Sequence, residues 1–420
     1  MLQVAQQALD ANQMLPGAEV IFSHLLVGRA NLALVLIQRL VKNLLPVKDL
    51  DQLLGTLVGA LNAVDDPFST ESLVYYRTLL KGLFVTLRSY STLDSRDQSR
   101  SLAGSAVPVT QTILNILDHV VARGFRSLSS LIHEQDSAVV PEDLALLTAI
   151  LQASLSLPGI DQCSSQILNI MASHDAPHAA ASLFSWADKL TDHGDPIYGE
   201  LSILFLLELS SLPFIAEQLA CDGVLSSLLS TNLARFMLKT SLTPLSDSPY
   251  VQRCYAIWVK GFLPLMVNML TALGATIAPE ITYVLNRFPH LLKSSVERFE
   301  APGASRTESS SSQYVTLIAV SEIHTLALLV RVLATLRANN SRDIPTVPWD
   351  AAGLLENVEF WLSSNRLLSE RLLPLGERQL EWRSTKTGTS DREGSHNLLE
   401  SMALLQFESV RDILSDGLDQ

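Results

Sequence analysis

The sequence predicts an all-α fold, a right-handed α-solenoid in which irregular helical repeats stack into a superhelix. Apolar residues recur at three- and four-residue spacing along nearly the whole chain, which is the period of a helix buried on one face. Proline, glycine and short polar turns divide this pattern into roughly 17 to 20 helices, and no segment alternates like a strand. Hydrophobic residues make up 47% and charged residues 17% of the 420-residue chain, a balance typical of repeats whose middle helices are covered on both sides.

One stretch, Tyr198 to Leu229, shows the predicted repeat most clearly. Its first helix, Leu201 to Leu212, carries apolar side chains on almost every face, so it must be buried on all sides. Pro213 ends this helix because proline lacks an N–H donor and has a fixed φ. A short helix, Phe214 to Ala220, then turns into a third, Val224 to Leu229. One inner helix flanked by two shorter ones is typical of an armadillo or HEAT-type unit.

The helices before this unit have ordinary start and stop residues. Pro46 ends a long apolar helix that Gly28 precedes, since the residue before a proline disfavours the α conformation. Pro141-Glu142-Asp143 is a strong start, with proline in the first turn and acids at the positive end of the helix dipole. From the N-terminus the predicted helices are 1–12, Ala18 to Val27, Ala30 to Leu45, Val47 to Val64, Ser72 to Tyr90, Val107 to Arg123, Phe125 to His133, Leu144 to Leu157, Asp161 to Ala172 and Pro177 to Leu190.

The longest helix after the unit, Tyr250 to Leu273, is amphipathic. Lys260, Pro264 and Asn268 fall on one side of it, a stripe that a bilayer span rarely tolerates. We therefore expect a core helix that bends at Pro264. The predicted helices after the unit are Leu229 to Leu238, Tyr250 to Leu273, Pro279 to Phe299 with an interruption near Pro289, Tyr314 to Leu336, Ala351 to Leu362, Ser364 to Trp382 and Asn397 to Leu414.

No domain boundary is evident, because each helix pair would pack on the next. We expect residues 1–420 to form a single continuous solenoid. The helical pattern starts directly at Met1, which suggests a C-terminal fragment of a longer solenoid with Met1 supplied by expression. Polar stretches at 91–106, 301–312 and 384–395 are predicted to be loops. The first of them is a solvated connector or, as an alternative, a regulated insertion.

Charge and cysteine content limit the class of protein. The net charge is −13 and the isoelectric point about 5.1, which disfavours nucleic acid as a partner because phosphates need a basic patch. Cys163, Cys221 and Cys254 are far apart and lie in or beside apolar segments. Reduced, buried thiols of a cytosolic or nuclear protein fit them better than disulfides. The first residues do not resemble a signal peptide.

Sequence motifs for catalysis or cofactor binding are absent. The chain has no phosphate-binding glycine loop, no G-x-S-x-G and no C-x-x-C pair. The best metal candidate is the set His174, His178 and His193, but no further ligands converge on it, and surface or capping histidines explain it better. Trp186, Trp258 and Trp361 lie on apolar helical faces and are predicted to be core residues. We therefore expect no enzymatic activity, no cofactor and no metal.

The last helix is the strongest candidate for a binding surface. Its apolar residues cover an arc of roughly 200°, wider than the stripe of about 100° that one neighbour needs, and a terminal helix has only one stacking neighbour. Part of the arc is therefore expected to be exposed unless another segment caps it, and an exposed arc would form a groove for a partner helix. The alternative is that it folds back onto Ser364 to Trp382. The candidate partner-binding residues are Leu399, Met402, Phe407, Val410 and Leu414.

Three stretches together resemble one known family. They are SILFLLELSSLPFIAEQLACDGVLSSLL (Ser202 to Leu229), YAIWVKGFLPLMVNMLTALG (Tyr255 to Gly274) and EIHTLALLVRVLATL (Glu322 to Leu336). Their order, and the Trp-bearing helix that ends in Leu-Gly, resemble the C-terminal tail of the very large α-helical scaffold nucleoporins of the nuclear pore's inner ring. Of the two related giants, the chain looks more like the slightly smaller one.

The resemblance implies a structural role at the nuclear pore complex of the nuclear envelope. It implies a superhelical tail shaped like a nuclear transport receptor, which contacts an amphipathic helix of a linker nucleoporin and, as a further mode, Phe-Gly repeats. We expect no membrane span and a monomeric fragment. Two alternatives stay open, a soluble β-karyopherin-like transport receptor or other armadillo/HEAT scaffold, and a hydrolase or metalloenzyme that uses His174, His178 and His193.

Overall fold

The computed structural model of the chain is all-α. It describes residues 1–14, 23–43, 45–97, 106–135, 138–191, 194–302, 314–340, 343–385 and 397–418. Within these ranges the only strands are two residues long, Val315–Thr316 (β1) and Leu372–Leu373 (β2), and they pair in parallel. The predicted fold class is confirmed, and the short strand pair is a feature that the sequence pattern did not predict.

The chain divides into two compact units, and α11 (Pro213–Cys221) crosses from one to the other. Unit 1 comprises Met1–Asp192 and Ile197–Ile215, and unit 2 comprises His193–Pro196 and Ala216–Gln420. Whether the two continue a single stack stays a prediction. The helices of unit 1 are α1 (Leu2–Gln13), α2 (Ser23–Lys42), α3 (Val47–Asn62), α4 (Leu73–Asp97), α5 (Ala106–Asn115), α6 (Arg123–Glu134), α7 (Pro141–Leu155), α8 (Ser164–Ser173), α9 (Ala176–Trp186) and α10 (Ile197–Ser210). Those of unit 2 are α12 (Val224–Leu229), α13 (Asn232–Lys239), α14 (Pro249–Ala256), α15 (Leu263–Leu273), α16 (Ala278–Arg287), α17 (Pro289–Glu297), α18 (Leu317–Asn340), α19 (Ala351–Ser363), α20 (Asn365–Arg371), α21 (Glu377–Ser384) and α22 (Leu398–Leu418).

Helix α10 is enclosed on all sides, as its all-round apolar sequence predicts. None of its residues is exposed, and Phe205 stacks on Phe125 with ring centroids 3.7 Å apart. Burial raises the pKa of Glu208, although Gln152 Nε2 donates a hydrogen bond to its carboxylate at 2.8 Å. The helix ends before Pro213, so both the break and the burial of this repeat are confirmed.

Several predicted boundaries in unit 1 are wrong. Gly28 lies inside α2 instead of preceding a helix, since an isolated glycine costs a helix only about 1 kcal/mol. Helix α4 continues to Asp97, beyond the predicted end at Tyr90. The two helices predicted on either side of Gly124 are one run, α5 and α6 joined by a π-helical turn at Ile116–Ala122. A π turn adds one residue to a helix and so shifts the apolar period without ending it.

Much of the three predicted loops lies outside the described residues. This applies to 98–105 of the first, 303–312 of the second and 386–395 of the third. Residues 91–97 of the first loop are helical and belong to α4.

The start of α7 is built around a buried carboxylate. The helix begins at Pro141, as predicted, and Asp143 is 2% exposed. Its side chain accepts from the backbone N–H of Val140 at 3.1 Å, which satisfies one of the donors that a helix start leaves unpaired. Arg77 on α4 binds the same carboxylate through two N–H groups, at 2.6 and 2.8 Å. The acids of this start therefore serve helix packing as well as capping.

Unit 2 has a polar cluster around the fully buried side chain of Glu322. Glu322 on α18 accepts hydrogen bonds from the hydroxyl of Tyr255 at 2.5 Å, from the indole N–H of Trp258 at 3.0 Å and from Arg298. Arg298 also donates to the carbonyl of Leu242 at 2.8 Å, and its guanidinium lies 4.8 Å from the Tyr255 ring. Burial raises the pKa of Tyr255 well above its usual value. The cluster is complete because every charge in it has a partner.

Helices α14 and α15 form one run with a second π turn, Ile257–Phe262, between them. Pro264 follows in the first turn of α15, where proline's missing N–H is tolerated. Trp258 and Phe262 are buried while Lys260 is exposed, and Asn268 is half-buried. The amphipathic core helix predicted from the sequence is therefore present.

Three described helices are long and apolar enough to cross a bilayer, judged by length and composition. A fourth span would result if the bent pair Pro141–Leu155 and Ile160–Ser173 counted as one. Two of the three, Pro249–Thr276 and Leu317–Asn339, hold the buried cluster around Glu322, and about half of each is covered by protein. Ser23–Lys42 is the third, and it is covered less.

Candidate partner-binding surfaces

The start of α22 is fixed by its own residues. Asn397 Oδ1 accepts from the backbone N–H of Glu400 at 2.9 Å, and the Glu400 carboxylate accepts from the backbone N–H of Asn397 at 3.1 Å. This reciprocal pair is a capping box. The N–H of Leu398 donates to the carbonyl of Thr385 at 2.9 Å, and the Ser369 hydroxyl donates to Glu400 at 2.5 Å. The beginning of α22 is thereby attached to α20 and to the end of α21.

The apolar arc of α22 faces the interior of unit 2. Leu399, Phe407, Val410 and Leu414 are buried, and Met402 is half-buried. Helices α18, α19 and α21 cover them, and the Phe407 ring meets Phe299 edge-on with centroids 5.6 Å apart. The expected exposure of this arc is wrong, because three helices rather than one pack on it. One of these three helices, α21, overlaps the segment Ser364 to Trp382 that the fold-back alternative named. A partner-binding role for the five residues stays a prediction.

The flank of α22 next to α18 is polar. Ser321 donates to Gln406 Oε1 at 3.1 Å, and His324 Nε2 lies 3.0 Å from the Ser409 hydroxyl. Burial lowers the pKa of His324. On the outer side of the helix, Leu405 is 65% exposed. Leu405 is therefore the most exposed apolar residue of α22, and Met402 is one of its half-buried ones.

The three tryptophans predicted to be core residues divide into two groups. Trp258 and Trp361 are buried as predicted, and the Trp361 indole donates to the carbonyl of Phe299 at 2.8 Å. Trp186 is 50% exposed, so its prediction is wrong: α9 ends at this residue, well before the predicted end at Leu190. The Lys189 ammonium lies 4.8 Å from the Trp186 ring.

The candidate histidines do not form a ligand set within the described residues. His174 Nε2 lies 2.6 Å from Asp118 Oδ1 in the π turn. This contact explains the position of the His174 ring without a metal. His178 is exposed at the start of α9, and His193 lies outside the described residues. No group of three His, Cys, Asp or Glu side chains in the described ranges has the geometry to hold a metal ion.

The cysteines are all free thiols but differ in exposure. Cys254 is buried, which raises its pKa to about 12. Cys163 is half-buried and Cys221 is exposed, so the expectation of three buried thiols holds fully only for Cys254. Cys221 is the last residue of the short helix α11, which leaves its side chain at a helix end.

A groove of about 570 Å³ crosses unit 1 between the turn that follows α3 and the run α5–α6. Its floor includes Phe68 and Tyr76, both buried, whose rings meet edge to face 5.5 Å apart. Gly124 brings the helix close to this floor, since a Cβ there would lie 3.6 Å from Phe68 and 3.2 Å from Leu147. The backbone of α6 thus forms part of the wall.

The two walls of this groove carry opposite charges. His119, Arg123 and Arg126 lie along the helix wall, and Asp65 and Asp66 lie on the turn. Arg126 makes one weak surface pair on its outer side, while the side chains of the other four form no salt bridge with any described residue. Asp65 and Asp66 follow α3 closely, whereas the helix that faces them is more than 50 residues away along the chain.

Comparison with known proteins gives one matching family model, described as the nuclear pore protein NUP188 C-terminal domain. It matches residues 53–414, which includes most of both units. Nucleoporin NUP188 of Chaetomium thermophilum is 48% identical over 100% of the chain, which spans 24% of that relative's length. Nucleoporin nup184 of Schizosaccharomyces pombe is 26% identical over 53% of the chain and 14% of its own length.

A solved structure is also similar to the chain. It is the fragment 1445–1827 of Nup188 from Myceliophthora thermophila, with 53% sequence identity and a TM-score of 0.77, covering 88% of this chain and 99% of the fragment. The chain thus spans about a quarter of the length of the Chaetomium relative. These relatives are named as nucleoporins, and the predicted location at the nuclear pore complex is confirmed.

Proposed function

The chain belongs to the family of the NUP188 C-terminal domain of nuclear pore proteins, and we propose that it acts as a scaffold element that binds other nucleoporins there. The observation that carries this proposal is the family match over residues 53–414. The fold supports it, because stacked helices provide long surfaces and interhelical grooves for protein partners. The role requires no enzymatic step, cofactor, metal, nucleic acid or membrane span.

The partners we propose are an amphipathic helix of a linker nucleoporin and, separately, Phe-Gly repeats. Helix-in-groove binding suits the first, because an apolar stripe buries itself between two helices. For α22, the accessible contacts would be Met402 and Leu405, while Leu399, Phe407, Val410 and Leu414 hold the helix in place beneath them. Exposed Trp186 offers an aromatic face for a Phe-Gly segment.

We further propose that this family corresponds to the slightly smaller of the two giant scaffold nucleoporins, as the resemblance implied, and that the isolated chain is monomeric. The large buried core of both units supports a folded monomer, since Phe407 and the Glu322 cluster are covered from within unit 2.

Co-elution on a sizing column tests the scaffold role. The purified chain is mixed with peptides covering the amphipathic helices of linker nucleoporins, and separately with a Phe-Gly repeat fragment. We expect at least one linker peptide to shift into the protein peak. If neither class co-elutes, partner binding by this part of the scaffold is refuted. A co-elution that depends on the nucleotide state of the transport GTPase would favour a β-karyopherin-like receptor instead.

A further inference from the structure

We propose that the charged groove of unit 1 receives an amphipathic helix of a partner protein, with an acidic flank against Arg123 and Arg126 and a basic flank against Asp65 and Asp66. This inference rests on the proposed function, since it assigns one docking site to that scaffold role. The site is separate from α22, which lies in unit 2.

The size and floor of the groove fit an apolar stripe. Its volume of about 570 Å³ lies in the range of roughly 300 to 1,000 Å³ that is typical of ligand pockets. Leu61, Val64, Val120 and Leu131 line it together with the aromatic floor. Val64 and Leu131 are half-buried, so an apolar side chain placed between them would remove their remaining surface from water.

The charges select the class of occupant. His119, Arg123 and Arg126 are spaced by four and three residues, which places them on one face of the helix wall, and the two aspartates lie on the opposite wall. A small anion would be repelled by the aspartates, and a small cation by the arginines. An amphipathic helix avoids both conflicts, because charges of opposite sign can flank its apolar stripe on two sides.

The wall that bears the arginines is held rigidly. The π turn Ile116–Ala122 contains His119, and its Asp118 is bound to His174 on α8. The close approach at Gly124 fixes the distance from α6 to the floor. A rigid groove loses little conformational entropy when it binds, and π turns recur at functional sites.

The test measures fluorescence anisotropy of labelled synthetic peptides against the whole chain. The peptides are about 18 residues long, because shorter isolated helices are only marginally stable in water. All of them share one leucine stripe. One peptide has a glutamate flank and a lysine flank, a second has lysine on both flanks, and a third has glutamine on both. We expect the wild-type chain to bind the first about fivefold tighter than either of the others, since each matched, partly exposed charge pair contributes modestly.

Charge reversal in the groove provides the decisive comparison. The double variant Arg123→Glu with Arg126→Glu turns this wall acidic. It is expected to reverse the order, so that the peptide with two lysine flanks binds about fivefold tighter than the glutamate–lysine peptide. The control Arg39→Glu makes an arginine-to-glutamate change at an exposed position of α2 outside the groove. It should leave the order of the peptide affinities as in wild type. Both arginines are exposed, and the surface pair of Arg126 with Asp175 at 3.6 Å contributes little to stability. The melting temperature of the double variant should therefore stay close to that of wild type.

Three outcomes would overturn the assignment. They are no binding of any peptide, an unchanged order in the double variant, and a concentration-dependent dimer that the double variant abolishes, which would assign the groove to a second copy. If the order does not reverse but linker peptides still co-elute with both chains, the groove assignment fails and the scaffold role stands. If the order reverses and no nucleoporin segment co-elutes, the groove stands and the scaffold role fails.

Discussion

Replacing Glu322 tests whether the buried cluster of unit 2 depends on charge pairing. Glu322 is fully buried and accepts from Tyr255, Trp258 and Arg298. Glu322→Leu keeps the volume roughly similar but leaves the Arg298 guanidinium with no anionic partner. Breaking a buried ion pair from one side costs about 3 to 5 kcal/mol.

The structure places the expected loss near the middle of that range. Arg298 keeps neutral acceptors in the carbonyl of Leu242 at 2.8 Å and the hydroxyl of Ser294 at 3.0 Å. The indole N–H of Trp258 loses its acceptor, which adds a cost of about 1 to 3 kcal/mol for an unsatisfied buried donor. Because these costs overlap, we expect Glu322→Leu to lower the free energy of unfolding of unit 2 by about 4 kcal/mol.

Urea unfolding followed by tryptophan fluorescence measures this loss. A Trp186→Phe background makes the signal specific to unit 2, because the other four of the five tryptophans lie there. The matched control is Glu370→Ala, which breaks an exposed ion pair with Arg366 at 3.4 Å and should cost about 0.5 kcal/mol or less. The reporting tryptophans are Trp258, Trp349, Trp361 and Trp382.

The double variant Arg298→Met with Glu322→Leu separates charge from packing. It removes both charges, so it should be about 2 kcal/mol more stable than Glu322→Leu alone. A double variant that is equally or less stable would refute the reasoning, since the unpaired guanidinium would then not be the main cost.

Other expectations follow from α22 and from the cysteines. Phe407→Ala should lower the free energy of unfolding of unit 2 by about 3 to 5 kcal/mol, whereas Leu405→Ala should change it by about 0.5 kcal/mol or less; equal urea midpoints would contradict the burial of Phe407. Burial lowers the pKa of His324, so the unfolded chain binds a proton on this imidazole at higher pH than the folded chain does. The folded state therefore keeps its full stability above about pH 6.5 and loses stability as the pH falls towards the folded pKa. His324→Asn should therefore flatten the decline in urea midpoint between about pH 7 and pH 5, and an unchanged slope would exclude this contribution. A thiol reagent at about pH 8 should modify Cys221 quickly and Cys254 only on unfolding, since a thiol of pKa about 12 is almost entirely protonated there; mass spectrometry of the labelled peptides distinguishes the two.

Helix positions could be predicted where local chemistry decides them. The proline that begins α11, the acidic start of α7 and the all-round apolar α10 each act within one or two turns of chain, so their signals are visible in sequence. The π turns could not be predicted, because one added residue shifts the spacing of the apolar residues by less than that spacing varies among ordinary helices. Trp186 was misplaced for a related reason: the apolar pattern continues past the point where α9 ends.

The binding surfaces could be predicted less well, because contacts distant in sequence determine exposure. Phe407 is covered by Phe299 and by helices that lie far from it in the chain, so the apolar arc of α22 could not reveal its own neighbours. The groove of unit 1 combines Asp65 with Arg123, and neither segment carries a motif. What the sequence does contain is the four- and three-residue spacing of His119, Arg123 and Arg126, which marks a basic helical face.

The way α22 begins has a practical consequence for engineering. Asn397 and Glu400 form a capping box at the first turn, and the hydrogen bond from Leu398 to Thr385 holds the two ends of the connection 386–396 together. Loop-closure entropy rises so slowly with length that doubling such a connection costs about 0.6 kcal/mol. An epitope or fluorophore-binding peptide inserted there would therefore mark the chain while leaving the register of α22, and the packing of Phe407 beneath it, unchanged.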